Sequence, residues 1–314
     1  MPGYMTHYIF GKKEFKKLSE NEIKNAIREN RNVFNLGLQG PDIFFYFPGY
    51  LFINKKNLGS IMHRNKTGEC MERMLDFVCS RKNERERKIA IAYLAGFLGH
   101  YQLDITCHPY IYHKTDYMNR EKGYHGKHVA LETDIDYLLG KSVLKKKISE
   151  VDYGRLVKLN KKQCEVVGKM LSRACSETYG YIRMGEKVAC AAVASMANVI
   201  NVIKDKYGNR EKIVRKIEKA FIGFEHFATS FIGDNYKLKN IDPMNYKKMP
   251  WYNPWETTIS EIRNESFEEL MELASKRYQN NLDALLEALQ NNTKKRFKEL
   301  VGNKSFLSGL ELDS

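Results

Sequence analysis

Apolar residues recur at intervals of three and four positions along most of the chain. This spacing predicts amphipathic helices in the segments 13–30, 68–82, 86–105, 127–140, 161–182, 185–205, 210–232 and 266–300. No segment shows sustained alternation of apolar and polar residues with turn signals, apart from a possible short extended piece in YFPGYLFI, residues 46–53. The pattern therefore predicts an all-α protein.

Turn-forming residues separate the predicted helices but mark no clear domain boundary. They cluster at 36–42, 47–50 and 118–126 and in the aromatic stretch 240–255. Neither an internal repeat nor a low-complexity linker is present. We expect a single multi-helix domain over 1–314, with a helical C-terminal portion at 141–314 and a possible sub-boundary at 240–255.

Composition limits the class of protein further. Hydrophobic residues make up 43% of the chain, which is ample for a buried core. The 52 lysines and arginines exceed the 38 acidic residues and give a formal charge of +14. This charge favours phosphate esters, nucleic acid or anionic lipid surfaces as partners, although much of it is mixed with glutamate as on solvated helix faces.

The cysteines and the apolar runs indicate in which cellular compartment the protein is expected. The six cysteines are far apart and form no C-x-x-C pair, so neither a disulfide framework nor a thiolate zinc site is indicated. No signal-peptide pattern is visible at the start, and we expect a cytoplasmic protein. The longest apolar run, 189–203, is short for a bilayer and contains polar residues, which favours a core helix over a transmembrane segment.

One apolar segment carries polar residues at a regular spacing. GHYQLDITCHPYI, residues 99–111, contains His100, Asp104 and His108 at four-residue steps. On a helix all three side chains project from one face. A second segment, KHVALE, places His128 and Glu132 at the same spacing.

Imidazole nitrogens and carboxylate oxygens are ligands that suit zinc, and helices can hold them rigidly. A lone histidine on an apolar face is usually a hydrogen-bonded core residue. Burying three imidazoles and two carboxylates together without a cation would instead leave several costly polar groups to satisfy. The combined set therefore predicts a metal site.

The sequence resembles the bacterial zinc-dependent phospholipases C. These are all-helical phosphodiesterases with three zinc ions, and they are related in fold to single-strand-specific zinc nucleases. The resemblance rests on five motifs that occur in order within about residues 3–137: MTHYIFG, GLQGPDIFFY, GSIMHR, AYLAGFLGHYQLDITCHPYI and YHGKHVALETDID. Each motif alone is weak, but the ordered set is specific.

The resemblance implies a ligand set for zinc. The residues that match the family's motifs are His7, Asp42, His63, His100, Asp104, His108, His128 and Glu132. His108, His128 and Glu132 would hold one ion. Asp42, His63, His100 and Asp104 would hold a second, and Asp104 would also reach a third ion alongside His7. Asp42 has two candidate roles, as a ligand or as the base that orients the attacking water.

The chain departs from the family in two respects. It has no tryptophan near its start to help bind the third zinc, so we expect two or three ions. The aromatic positions that surround choline in some members are Ile43 and Ser60 here, so choline specificity is not supported.

The resemblance implies a zinc-dependent hydrolase of phosphate diesters, acting on a phospholipid or another diester through an activated water. We found no serine or cysteine nucleophile motif. A single-strand-specific zinc nuclease and a non-catalytic, metal-stabilised binding protein for phosphorylated ligands are the alternatives.

Overall fold

The computed structural model describes residues 3–47, 57–145, 147–180, 182, 184–258 and 261–313. These residues form thirteen α-helices: α1 (Tyr4–Lys17), α2 (Glu22–Glu29), α3 (Arg31–Gly37), α4 (Leu58–Met62), α5 (Thr67–Cys79), α6 (Glu84–Lys114), α7 (Tyr124–Leu144), α8 (Tyr153–Val157), α9 (Lys161–Thr178), α10 (Glu186–Ile203), α11 (Asn209–Phe221), α12 (Phe267–Asn291) and α13 (Lys295–Val301). Short 3-10 helices lie at Gly40–Phe44, Tyr117–Asn119, Ile148–Glu150 and Ala228–Ser230. Within these ranges, extended segments pair only through three isolated bridges. The predicted all-α fold is confirmed.

Three of the predicted helical segments differ from the structure, and residues 48–53 of the possible extended piece lie outside the described residues. Segment 266–300 contains α12 and α13, which are separated at Asn292 with φ +52°. Segment 13–30 contains two helices, because the backbone is extended at Leu18 and the Asn21 side chain caps a new helix by accepting from the Lys24 amide at 2.9 Å. In segment 210–232 the α-helix ends at Phe221, where Gly223 with φ +79° begins a turn.

The long helix α6 lies at the centre of the fold. It contains 31 residues and is buried continuously from Ile89 to Tyr112, as expected for a helix surrounded on all sides. Helices α2, α3, α5, α9 and α12 pack around it. A polar side chain on any face of this stretch must therefore find its partner inside the protein.

Helices α1 and α7 pack against each other and complete the surroundings of α6. Asp136 of α7 caps the start of α1, since its carboxylate accepts from the Met5 amide at 3.1 Å, the Thr6 amide at 2.7 Å and the Thr6 hydroxyl at 2.6 Å. A Cβ at Gly3 would lie 2.0 Å from this carboxylate, so the close approach requires glycine. The cap fixes α1 relative to α7.

The C-terminal half adds helices to the same core. Buried residues from Tyr4 to Phe306 form one contiguous apolar cluster, although a single domain over 1–314 stays a prediction.

Among the described helices, α10 is long and apolar enough to cross a membrane by length and composition. Its buried face packs against α8 and α9, while Asn198 and Asn201 are exposed. This arrangement is typical of an amphipathic helix that packs on the core with one face.

The aromatic stretch 240–255 packs onto α6. The Trp251 ring is buried, lies 5.6 Å from the Tyr110 ring and donates from Nε1 to the Glu265 carbonyl at 3.1 Å. Trp255 contacts the Tyr112 ring at 5.5 Å. The stretch therefore forms part of the packed body beside the C-terminal end of α6.

Candidate metal centre

All eight predicted ligand residues converge on one buried region around α6. His100, Asp104 and His108 project from α6, while the other five come from α1, the 3-10 helix at 40–44, the C-terminal end of α4, and α7. None of the eight is more than 5% exposed. The structure thus brings together residues that are far apart in sequence, from His7 to Glu132.

Gly40 allows the segment that carries Asp42 to approach α6. Its φ is +50°, in the left-handed region, and a Cβ there would lie 2.2 Å from Cδ2 of His100. Any side chain at this position would displace the imidazole. The GPD sequence therefore serves two purposes, turning the chain and placing Asp42 beside His100.

Four ligand atoms form the first cluster. Nε2 of His63 lies 3.2 Å from Oδ1 of Asp42 and 3.7 Å from Oδ2 of Asp104. Nε2 of His100 lies 3.1 Å from Oδ2 of Asp104 and 3.9 Å from Oδ1 of Asp42. Ligands at about 2.0–2.1 Å in a tetrahedron around zinc are themselves about 3.3 Å apart. The atoms of His63, His100 and Asp104 all lie within 4.8 Å of one another, which suits one such ion, and Asp42 lies close to the two imidazoles of this set.

A second cluster forms where Asp104 presents its other oxygen to the imidazole of His7. Oδ1 lies 3.3 Å from Nε2 of His7, whereas Oδ2 faces His63 and His100. The His7 ring also stacks on the His100 ring with centroids 4.2 Å apart. A carboxylate with this arrangement can link two cations, which is the role expected for Asp104.

The third cluster joins α6 to α7. Nε2 of His128 lies 2.9 Å from Oε1 of Glu132, and Nε2 of His108 lies 3.8 Å from the same oxygen. Taken together, ligand atoms within 4.8 Å of one another fall into three groups: His7, Asp42 and His100; His63, His100 and Asp104; His108, His128 and Glu132.

Backbone carbonyls orient three of the imidazoles. Nδ1 of His63 contacts the Gly59 carbonyl at 2.6 Å, Nδ1 of His100 the Leu38 carbonyl at 3.1 Å, and Nδ1 of His108 the Phe306 carbonyl at 2.6 Å. Because each carbonyl accepts from Nδ1–H, Nε2 is left with its lone pair toward the cluster, as in metal-binding histidines. These partners were not predicted from the sequence, since a backbone carbonyl has no residue-type signal.

Several buried ligand atoms lack hydrogen bonds of regular geometry among the residues that the structure describes. They include Nε2 of His7, His63, His100 and His108, Oδ1 of Asp42, and both oxygens of Asp104. Unpaired polar atoms at this depth are costly unless a cation satisfies them. The donor set and its spacing therefore fit bound zinc.

Electrostatics in the cluster favour a cation. Burial lowers the pKa of His7 and of His108, and holds that of His128 well below its usual value. Burial also acts to lower the pKa of His100, but the negative charges of Asp104 and Asp42 outweigh it and raise that pKa, so a positive charge is favoured beside these carboxylates. Burial alone would raise the pKa of Asp104, but the imidazoles of His100 and His108 hold it well below the usual range. Neutral imidazole and ionised carboxylate are the forms that bind metal.

A cleft of about 780 Å³ opens onto both parts of the centre. Asp42 and His63 from the first cluster and His128 and Glu132 from the third all line it. Two other histidines of the motif region lie outside the three groups: His113 is half-buried beside Tyr252, and His125 is exposed at the cleft. The same cavity thus gives a ligand access to both ends of the metal-binding region.

Comparison with known families agrees with this geometry. The family model for zinc-dependent phospholipase C matches residues 6–183, more than half of the 314 residues. Neither the curated proteins nor the solved structures that were compared include a match. The matched region contains all eight candidate ligands, and the resemblance found in the motifs is confirmed. The chain belongs to the zinc-dependent phospholipase C family.

Proposed function

We propose that the protein is a zinc-dependent phosphodiesterase that hydrolyses a phospholipid or another phosphate diester with water as the nucleophile. The observation that carries the proposal is that ligand residues from two clusters, Asp42 and His63 from the first and His128 and Glu132 from the third, line one cleft. A hydrolase of the matched family needs such access, whereas a purely structural metal site would be closed.

We propose that two or three zinc ions are held by the eight residues, with Asp104 shared between two of them. Bound zinc would lower the pKa of a water toward about 7 and neutralise the phosphoryl oxygens of the substrate. In the overall reaction, water adds to phosphorus, the phosphorus–oxygen bond to one alcohol breaks, and the departing alkoxide takes up a proton.

The protein's own residues have separate tasks in this proposal. The carbonyls of Leu38, Gly59 and Phe306 hold the imidazoles in one tautomer and orientation. Asp42 directs Oδ1 at the imidazoles of His63 and His100 and also borders the cleft. Its position suits a ligand, and its place at the cleft suits a proton acceptor for the attacking water. Asp42→Asn separates the two roles, because loss of a ligand lowers zinc content and loss of a base lowers kcat alone.

The test combines metal analysis with a substrate panel. Protein purified in zinc is assayed for bound metal and for hydrolysis of short-chain phospholipids, a chromogenic phosphodiester and a single-stranded oligonucleotide. We expect bound zinc and chelator-sensitive hydrolysis that Glu132→Gln abolishes. Glu121→Gln is the matched control, since Glu121 is an exposed carboxylate just before α7 and does not line the cleft.

Two results would contradict the proposal, and a third would change its substrate from a lipid to a nucleic acid. If the protein binds no zinc, the proposed metal centre is absent and the proposal fails. Bound zinc without hydrolysis of any diester would favour a metal-stabilised binding protein for phosphorylated ligands. Hydrolysis of the oligonucleotide alone, with strong salt dependence, would favour a nuclease.

A further inference from the structure

Two arginines line the cleft without an acidic partner. Arg64 directly follows His63, and Arg120 follows the 3-10 helix Tyr117–Asn119; both are exposed. Within the described ranges, no carboxylate lies within 4.0 Å of either guanidinium. Other arginines of the chain form such ion pairs, for example Arg87 with Glu22 at 2.9 Å. Nη1 of Arg120 donates to the Tyr117 carbonyl at 3.1 Å, so the Arg64 guanidinium and the remaining N–H groups of Arg120 are available to a ligand in the cleft.

Arg64 and Arg120 supply positive charge at the cleft in addition to the metal centre. The carboxylates of Asp42, Asp104 and Glu132 would offset three of the four positive charges that two zinc ions would bring, and an activated hydroxide would offset the fourth. A phosphodiester group carries one negative charge, and Arg64 and Arg120 carry two positive charges outside the ligand set. The two arginines are therefore the cations that a second anionic group in the cleft would meet.

The Tyr117 ring at the cleft does not offer a site for a quaternary ammonium ion. The Tyr117 ring stacks on Trp255 with centroids 4.5 Å apart, and the Arg120 guanidinium lies 4.3 Å from the Tyr117 centroid. The protein's own cation thus occupies the cation–π position. Ser60 also lines the cleft and has no ring.

The apolar part of the cleft favours a lipid over a nucleic acid strand. Phe45 is 36% exposed, and it lines the cleft together with Phe227, Ile232 and Leu307. These side chains suit the glycerol and acyl part of a phospholipid. A single strand needs a series of exposed rings on which successive bases stack; Phe45 is exposed, but Tyr117 is already covered by its neighbours.

We propose that the cleft selects phospholipids whose head group carries a second anionic group, a carboxylate or a phosphate, and that Arg64 and Arg120 bind this group. Arginine suits the task because its planar guanidinium donates two parallel hydrogen bonds to such an anion. The inference rests on the proposed phosphodiesterase function and specifies its substrate class.

The experiment compares head groups on the same short acyl chains. Wild-type protein is assayed on monomeric phosphatidylserine and phosphatidylcholine, and we expect kcat/KM to be at least about tenfold higher for phosphatidylserine. Arg64→Gln and Arg120→Gln should each lower this ratio by about tenfold, mainly through KM for phosphatidylserine, without changing zinc content. Arg85→Gln is the matched control, because Arg85 is an exposed arginine about 22 Å along α6 from His100.

A binding measurement makes the inference independent of turnover. O-phosphoserine and phosphocholine, the head groups that phospholipase C cleavage would release, are titrated into the zinc-loaded protein by calorimetry. We expect tighter binding of O-phosphoserine, weakened about tenfold in each cleft arginine variant but not in Arg85→Gln.

The outcomes separate the two claims. If no diester is hydrolysed, the proposed function fails, while the titration still decides whether the arginines bind an anionic head group. Hydrolysis of both lipids at equal rates, or equal losses on both lipids in the arginine variants, would overturn the head-group inference alone. Preference for a single-stranded oligonucleotide over phosphatidylserine would also overturn it and assign the arginines to nucleic acid.

Discussion

Replacing Gly40 with alanine tests whether His100 is a zinc ligand. The new Cβ would lie 2.2 Å from Cδ2 and 2.5 Å from Cγ of His100. Since non-bonded carbons approach to about 3.5 Å, the ring must move by about 1.3 Å. Metal ligand distances tolerate about 0.2 Å. Nε2 of His100 can therefore no longer serve the first cluster, and we expect zinc affinity to fall by at least about 10–100-fold.

The same substitution strains the backbone, so the control must share this effect. A non-glycine residue in the left-handed region costs about 1–2 kcal/mol, and Gly40 has φ +50°. Gly208 has φ +71°, and a Cβ added there would meet no atom within 4 Å, so Gly208→Ala carries the strain without a clash.

Zinc affinity is measured by competition with a chromophoric chelator, and stability by denaturant unfolding. Gly208→Ala should lose about 1–2 kcal/mol of unfolding free energy, and Gly40→Ala should lose more, because the clash with His100 adds to the backbone strain. Only Gly40→Ala should lose zinc affinity. Equal zinc affinity in the two variants would refute the assignment of His100 as a ligand held in place by this close contact.

Two further predictions concern residues that hold the site in place. Asp136→Asn should lower the unfolding free energy by about 1–3 kcal/mol, because the carboxylate accepts three hydrogen bonds at the start of α1. The substitution should also weaken zinc binding near His7. A variant as stable as wild type in denaturant would contradict this role of Asp136. The Glu218 carboxylate accepts hydrogen bonds from the amides of residues 226–228 beside the cleft. Burial acts to raise the pKa of Glu218, but these hydrogen bonds outweigh burial and lower the pKa below its usual value. Because the folded-state pKa is depressed, the stabilisation is present above the unfolded pKa of about 4.3 and is lost as pH falls through the folded value. The stability difference between wild type and Glu218→Gln, followed by unfolding at several pH values, should therefore shrink on acidification, and a difference independent of pH would exclude this role.

Periodicity and residue type predicted the part of the site that lies within single helices. The four-residue spacing of His100, Asp104 and His108 is visible in sequence because α6 is continuous across it. The convergence of His7, Asp42 and His63 depends on how distant elements pack, and it could be expected only from the ordered motifs of the family.

Other features had no signal in the sequence. The Phe306 carbonyl that orients His108 belongs to the C-terminal segment, 198 positions away and beyond the part of the chain that the family model matches. Asp136 reads in the sequence as an ordinary polar residue of α7, and its capping of α1 emerges only from the packing of the two helices. These hydrogen bonds to backbone groups depend on tertiary packing, and the residue type alone does not predict them.

The helix boundaries that were predicted wrongly also have local causes. Periodicity continues through Leu18 and through Ile222, but Asn21 begins a new helix and Gly223 turns the chain. Caps and left-handed glycines interrupt a helix without breaking the apolar pattern. Their effect is easily missed when spacing alone is used.

The central claim is that Asp104 joins two metal sites, and the zinc content of Asp104→Asn tests it most directly. Zinc per folded chain is measured by mass spectrometry for this variant, for His100→Asn and His108→Asn, and for the control His113→Gln, whose residue lies outside the three ligand groups. We predict two or three ions in wild type and in His113→Gln, and a larger loss in Asp104→Asn than in either α6 histidine variant. Equal losses in all three, or a wild-type protein that binds no more than one ion, would contradict the claim.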